Sequence, residues 1–205
     1  MNISIPGRVV VFDYGEVISR PPSEADRATI VAAAGVDADV FWPAYWAHRN
    51  DLDQGLALVD DYWSRVAFDL GVTWTPAQRQ QLWVSDFRGW FSSDAGTIEV
   101  LADLHAGNTR LALLSNAGFD FGDPLRHAPF AAYFEEIFIS AELGIIKPDA
   151  AIFRHVADVL GIGFDAFVFV DNKQENVDGA IVLGATGHLF TGAAGLRDFL
   201  VDLAG

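Results

Sequence analysis

Apolar residues along this chain follow two recurrent patterns. Five short apolar runs rich in β-branched and aromatic residues, at 8–13, 109–115, 136–140, 166–171 and 186–190, read as strands. From the second run onward the stretches between them are mostly helical, an alternation that predicts a parallel sheet covered by helices. Residues 149–160 follow Lys147-Pro148 with Ile152, Phe153, Val156, Val159 and Leu160 at helical spacing, and Gly161 is placed to end that helix. Residues 176–183 read as another helix, closed by Gly184.

The gap between the first two runs is different. Nearly a hundred residues separate Asp13 from Thr109, far more than one crossover helix needs, which predicts an inserted subdomain. Ser23 stands as an N-cap before Glu24-Ala25-Asp26, and Gly35 ends that helix. A second apolar pattern surrounds Phe41, Trp42, Tyr45 and Trp46, and a third covers 56–70. Thr75-Pro76, an N-cap followed by a proline at the first helical position, opens a fourth that continues through Leu82. Residues 1–19 and 92–205 are thus expected to form an α/β core, and 20–91 a helical cap. All six tryptophans, at 42, 46, 63, 74, 83 and 90, fall in the insertion; they are expected mainly as its core, with one or two lining a pocket beneath it.

Composition narrows the function classes. With 205 residues, 51% hydrophobic and 20% charged, the chain suits one α/β core with a modest insertion. No apolar run approaches the roughly 20 residues that cross a bilayer, and Met1-Asn2-Ile3-Ser4-Ile5-Pro6 lacks the layout of a secretory leader, so a cytoplasmic location is expected. The absence of cysteine removes disulfides, thiolate nucleophiles and cysteine-held metals. A formal charge of −15 argues against nucleic acid or an anionic membrane as partner and reads as a solvated surface. An anionic substrate would then need local cations or a metal.

Polar groups recur where the strands end. The run Val9-Val10-Val11-Phe12 stops on Asp13, followed by Tyr14-Gly15, at the carboxyl edge where open α/β sheets bind ligands; an aspartate opening a plain turn has the same pattern. The second strand ends in Ser115-Asn116 with Gly118 beyond, groups able to hold an oxyanion or simply to form a turn. Lys147 opens a helix, where the dipole favours anions instead. Asp171-Asn172, with Asn176 a helical turn later, suits a hard cation such as Mg²⁺ or, again, a turn. Four such strand ends converging on one edge point to a site.

The order Asp13, Ser115, Lys147-Pro148, Asp171-Asn172 resembles the four motifs of the haloacid dehalogenase-like hydrolase superfamily, over nearly the whole chain. Residues 142–153 and 169–180 look like the third and fourth motif regions of its small helical-cap phosphatases, and the insertion occupies the position of their cap. The resemblance implies a Rossmann-like parallel sheet core and hydrolysis of a small phosphorylated metabolite. Asp13 would attack phosphorus to give an aspartyl-phosphate, Ser115 would bind a phosphoryl oxygen, and Lys147 would neutralise the shared charge. Asn116, Gly15 and Arg49 are the expected substrate contacts, and Asp13, the Gly15 carbonyl, Asp171 and Asn172 the expected Mg²⁺ ligands.

Two positions depart from the family pattern. Gly15 stands where the general acid and base aspartate is usual, which favours activated leaving groups such as a sugar 1-phosphate or an acyl phosphate; Glu16 is the candidate substitute. Asn172 replaces an acidic metal ligand by a neutral amide. A competing reading is a 2-haloacid dehalogenase in which Asp13 attacks carbon and expels a halide that needs no proton. Arg49 would then bind halide or carboxylate, unless it only pairs with Asp51 or Asp53. Against it, the tyrosine typical of those enzymes' first motif is displaced here to Tyr14. A third reading is a non-catalytic binder of phosphorylated ligands. The five histidines show no metal-ligand spacing, and neither the substrate nor the oligomeric state is readable from the chain.

Overall fold

The computed structural model describes residues 2–205. Five strands, β1 (Val9–Phe12), β2 (Arg110–Ser115), β3 (Glu136–Ile139), β4 (Phe167–Asp171) and β5 (Thr186–Leu189), form one parallel sheet in the order β3-β2-β1-β4-β5. β1 is central, and every residue of β1 and β4 is buried, as unbroken apolar runs in a doubly covered sheet require.

The insertion is helical throughout: α1 (Glu24–Ala34), α2 (Ala38–Ala47), α3 (Arg49–Asp53), α4 (Val59–Asp69) and α5 (Pro76–Trp90). Ser23 and Asp26 form a capping box on α1, and Thr75 and Gln78 form one on α5. The fourth predicted helix, traced through Leu82, runs on to Trp90, and α3 is an added short helix. Ile30, Phe41, Tyr45, Tyr62, Trp63, Trp74 and Leu82 pack a core of its own. Trp63 and Trp74 are buried there, whereas Trp42, Trp83 and Trp90 are half-buried and Trp46 is 51% exposed. Trp63 and Trp74 are thus core, Trp42 and Trp83 pack against that core, and Trp46 and Trp90 line a cavity, in line with the expectation. The two chain crossings into the insertion pair with each other: Ser19 bridges Ser93, Arg20 N–H donates to the Ser92 carbonyl, and Asp94 N–H donates to Ile18.

The remaining helices are α6 (Ala95–Ala106), α7 (Phe119–Arg126), α8 (Ser140–Leu143), α9 (Ala150–Leu160), α10 (Gln174–Val182) and α11 (Ala193–Ala204). Side chains alternate across β1: Val9 and Val11 pack with Ile152, Phe153 and Val156 of α9, and Val10 and Phe12 with Leu101 of α6 and Leu196 of α11. α10 starts two residues before the predicted 176, because the segment after β4 turns directly into helix. Phe12 pairs with both Leu113 and Val170, so β1, β2 and β4 end level and Asp13 comes abreast of Leu114 and Asp171. The strand order reverses around β1, and the crevice outside these carboxyl ends is where this architecture binds ligands. Among the described residues no helix is long and apolar enough to cross a membrane.

Candidate active site

Lys147 is the hub of that crevice. Its ammonium donates to Asp13 Oδ1 at 2.7 Å, to Asp171 Oδ2 at 2.7 Å and to the Leu114 carbonyl at 2.9 Å, so all three protons have acceptors. The side chain is almost fully buried. Burial pulls the ammonium down, but Asp13 and Asp171 outweigh it and hold the group above its ordinary value. Burial pushes the Asp13 carboxyl up; Lys147 draws it down and Asp171 adds to the rise, leaving it at about 6. At neutral pH the centre thus holds a carboxylate that is poorly solvated and backed by one fixed cation.

Asn116 positions that cation. Its amide nitrogen donates to the Lys147 carbonyl at 3.0 Å and its amide oxygen accepts from the Lys147 N–H at 2.9 Å. The side chain expected to touch substrate is thus a brace for Lys147, although the residue also lines the cavity. Asp171 lies deeper than Asp13. Its carboxylate accepts from Lys147, from the Lys173 N–H and twice from Asn176 Nδ2, and it is fully buried away from the cavity. In this arrangement it is the second counter-ion of Lys147. Ser115, 3% exposed at the end of β2, lines a chamber with Tyr14, Arg49, Asp53 and Trp90.

A cation would find oxygen donors beside Asp13. Asn172 Oδ1 and Asn176 Oδ1 are buried without a hydrogen-bond partner, and both residues line the same cavity as Asp13 and Gly15. Orphaned buried acceptors of this hardness fit Mg²⁺. The orientation of Asn172 has a cause: its Nδ2 donates to Glu16 Oε2 at 3.0 Å, which leaves the oxygen free. Glu16 itself sits at φ 57°, a left-handed conformation uncommon for a residue with a side chain, with its N–H held by Ser19 Oγ. Gly15 has open space where a Cβ would stand and no left-handed φ, so no steric reason excludes an aspartate there.

The cap closes the crevice from the other side. Arg49 donates through Nε to Asp53 at 3.2 Å and through Nη1 to Asp86 at 2.9 Å and Tyr45 Oη at 2.8 Å. Tyr45 Oη in turn donates to Asp86 at 2.6 Å and accepts from Trp90 Nε1. Arg49 therefore lines the cavity, as expected, yet is already doubly paired; its partners are Asp53 and Asp86, not Asp51, which binds Arg65. Burial raises the Asp53 carboxyl to about 6 despite Arg49. Ser140 Oγ donates to the Asp53 carbonyl and accepts from the Ala117 N–H, tying α3 to the loop after β2. A cavity of about 170 Å³ remains between cap and sheet edge, walled also by Trp46 and Trp90. Tyr45, Asp86, Asp53 and Trp90 were not singled out from sequence; i, i+4 spacing links Tyr45, Arg49 and Asp53, a signal only once their helix faces are known.

No family model matches the chain. Sesquiterpene phosphatase astK of Aspergillus oryzae is 24% identical over 182 residues, covering 88% of this chain and 85% of that protein. Drimenol cyclase drtB of Aspergillus calidoustus is 36% identical over 85 residues, 41% of this chain but only 16% of the cyclase. Phosphoserine phosphatase of Thermus thermophilus is 36% identical over 86 residues, 41% of this chain and 34% of the enzyme. Among solved structures, a predicted HAD-like hydrolase from Porphyromonas gingivalis superposes with TM-score 0.73 at 21% identity, over 94% of this chain and 97% of its own. A HAD family enzyme from Bacteroides thetaiotaomicron, solved with magnesium and inorganic phosphate, gives 0.72 at 17% identity over 88% and 92%. An L-2-haloacid dehalogenase gives 0.71 at 15% identity over 98% and 99%. The chain therefore has the fold of these haloacid dehalogenase-like proteins, the fold that the order of its four strand-end motifs implies.

Proposed function

We propose that this chain is a Mg²⁺-dependent phosphatase of a small phosphorylated metabolite, with 1–19 and 92–205 as its catalytic core and 20–91 as its cap. The observation that carries the reading is Lys147, clamped at 2.7 Å between Asp13 and Asp171, beside the orphaned oxygen of Asn172. Asp13, backed by Lys147, forms a bond to phosphorus as the ester P–O bond breaks; water then attacks the aspartyl-phosphate, releasing phosphate and restoring Asp13. The leaving oxygen takes its proton from solvent, since Gly15 offers none. Ser115 and Lys147 bind phosphoryl oxygens, and Asn116 and Asp171 keep Lys147 in place. Asp13, the Gly15 carbonyl and Asn172, with Asn176 adjacent, would hold Mg²⁺. The ion would neutralise phosphate charge next to Asp13.

The phosphatases among the relatives, and a neighbour holding magnesium and phosphate, support this reading. Those phosphatases act on chemically unlike molecules, a sesquiterpene derivative and phosphoserine, so their names do not select a leaving group. Dehalogenation is the weaker reading despite its structural neighbours, because a haloacid carboxylate would have to displace Asp53 or Asp86 from Arg49. The test is hydrolysis of p-nitrophenyl phosphate with Mg²⁺ and with EDTA. Wild type turns over only with metal, and Asp13→Asn loses at least about 10³-fold. A folded wild type that leaves this ester intact but dechlorinates 2-chloropropionate would reverse the choice.

A further inference from the structure

Two displacements at phosphorus follow one another in the proposed reaction, and the second needs a base. Attacking and leaving oxygens stand roughly in line, so with Asp13 on the sheet side the water that opens the aspartyl-phosphate enters from the side of the cap. Gly15 offers no carboxylate to take its proton. Among the described residues three carboxylates line the cavity: Asp13, Glu16 and Asp53. Asp13 is esterified at that stage, and Glu16 is held by the Asn172 amide on the metal side. Asp53 belongs to the cap.

Three successive residues moor this part of the cap to the core. Ser140 Oγ donates to the Asp53 carbonyl, and Gln54 Nε2 donates to the Gly144 carbonyl at 2.9 Å. Gly55 approaches so closely that a Cβ there would stand 2.5 Å from the Ala141 carbonyl oxygen. The Asp53 carboxylate is thereby fixed relative to the sheet edge. Arg49 Nε donates to its Oδ1 at 3.2 Å, and Oδ2 accepts no hydrogen bond from the described residues. Asp53 also walls the chamber beside Ser115, with Arg49, Asn116 and Trp90 common to both spaces. A phosphoryl group bound by Asp13, Lys147 and Ser115 is therefore bordered by this carboxylate on the cap side.

The charged and titratable groups facing Asp53 are Arg49 on α3, Tyr62 from α4, Asp86 from α5 and Lys173 from the loop after β4; Tyr45 of α2 reaches it through Arg49. Burial outweighs the two cations and holds the carboxyl at about 6. Such a group is ionised at neutral pH yet more basic than an ordinary carboxylate.

We infer that Asp53 is the general base of the second displacement, a catalytic residue that the cap supplies where Gly15 supplies none. It takes one proton of the attacking water as the new P–O bond forms and the bond to Asp13 breaks. Phosphate leaves, Asp13 regains its carboxylate, and Asp53 returns the proton to solvent. The inference rests on the phosphatase reading and adds to it the residue that completes the cycle.

Turnover of p-nitrophenyl phosphate with Mg²⁺ separates the two displacements, since nitrophenol release reports the first and acid-quenched phosphoenzyme the second. Asp53→Asn should lower kcat by about 10²-fold, the scale of a lost general base, while kcat/KM, set by the first displacement, stays within about twofold. A burst of nitrophenol close to one per chain should precede the slow phase, with phosphoenzyme accumulating. A second measurement needs no variant: phosphoenzyme decay in the wild type should slow about tenfold per pH unit below about pH 6, because esterified Asp13 no longer titrates. Equal losses in kcat and kcat/KM, no loss in either, or decay that is flat from about pH 5 to 7 would overturn the base. In each of these cases wild-type turnover keeps the phosphatase reading. A folded wild type that yields neither nitrophenol nor phosphoenzyme would remove that reading, and this inference with it.

Discussion

At the scale of single residues, the two departures from the family pattern have different physical consequences. Gly15 removes a proton donor but leaves room for one, because a Cβ there meets nothing within 4 Å. Gly15→Asp should therefore raise turnover of alkyl phosphates, with poor leaving groups, by a sizeable part of the ~10²–10⁴-fold that a positioned acid supplies. Turnover of p-nitrophenyl phosphate should barely change, and the slope of log kcat against leaving-group pKa should flatten. A slope already flat in the wild type would mean that Glu16 delivers the proton. Asn172 removes a charge from the metal side, and Glu16 compensates by turning the amide so that its oxygen is presented. Glu16 makes this contact from a left-handed, strained backbone. Glu16→Gly should relieve it, gaining up to about 1 kcal/mol in denaturant unfolding. The same variant should bind Mg²⁺ about tenfold more weakly by calorimetry, a loss of the size of one charge-assisted contact. Tighter binding in the glycine variant would show that Glu16 works against the cation.

At the scale of elements, the contact between cap helices and sheet edge contains a titrating group. Asp53, at the end of α3, is held by Arg49, and its carboxyl is pushed up to about 6 by burial. Between about pH 4 and 6 the folded chain keeps a proton there that the unfolded chain has released, so stability falls as pH rises through that window. The contribution is at most about 3 kcal/mol for a shift of two units. Asp53→Asn should flatten the dependence of Tm on pH over this range, leaving the part due to Asp13, which shifts the same way. An unchanged slope would place the titration elsewhere. This network also marks where sequence reading stops. Each strand end was legible because a strand's apolar run and the polar residue closing it are adjacent in the chain, and register alone brings Asp13, Leu114 and Asp171 abreast. Arg49 was legible only as a candidate, because its real partners Asp86 and Tyr45 depend on how α2, α3 and α5 are rotated about their axes. Likewise Asp171 was recognised as part of the site, but its role as a counter-ion followed only from Lys147 and Asn176 folding onto it.

At the scale of the whole molecule, the few cations of the site stand in a strongly acidic chain. The chain carries a formal charge of −15, whereas Lys147 and the adjacent Lys173 and Arg49 are the cations that line the catalytic cavity. Arg49 is paired with two carboxylates and Lys147 with two more, and Glu16 lines the same cavity, so carboxylates outnumber the three cations locally as well. A phosphate monoester approaching from solvent therefore meets net repulsion until it enters the crevice. Screening of that repulsion is governed by ionic strength, since the Debye length falls from about 30 Å at 0.01 M to about 8 Å at 0.15 M. Raising salt over this range, at fixed saturating Mg²⁺, should increase kcat/KM by a few fold while leaving kcat nearly constant, the reverse of an enzyme that steers its substrate electrostatically. Steady-state kinetics in a chloride series, with a neutral-salt control for chloride binding, reads the effect directly. A fall in kcat/KM with salt would instead locate an attractive field at the mouth of the crevice. Lys173, exposed on the loop after β4, would then be the side chain to remove, and Lys173→Gln should abolish the salt dependence.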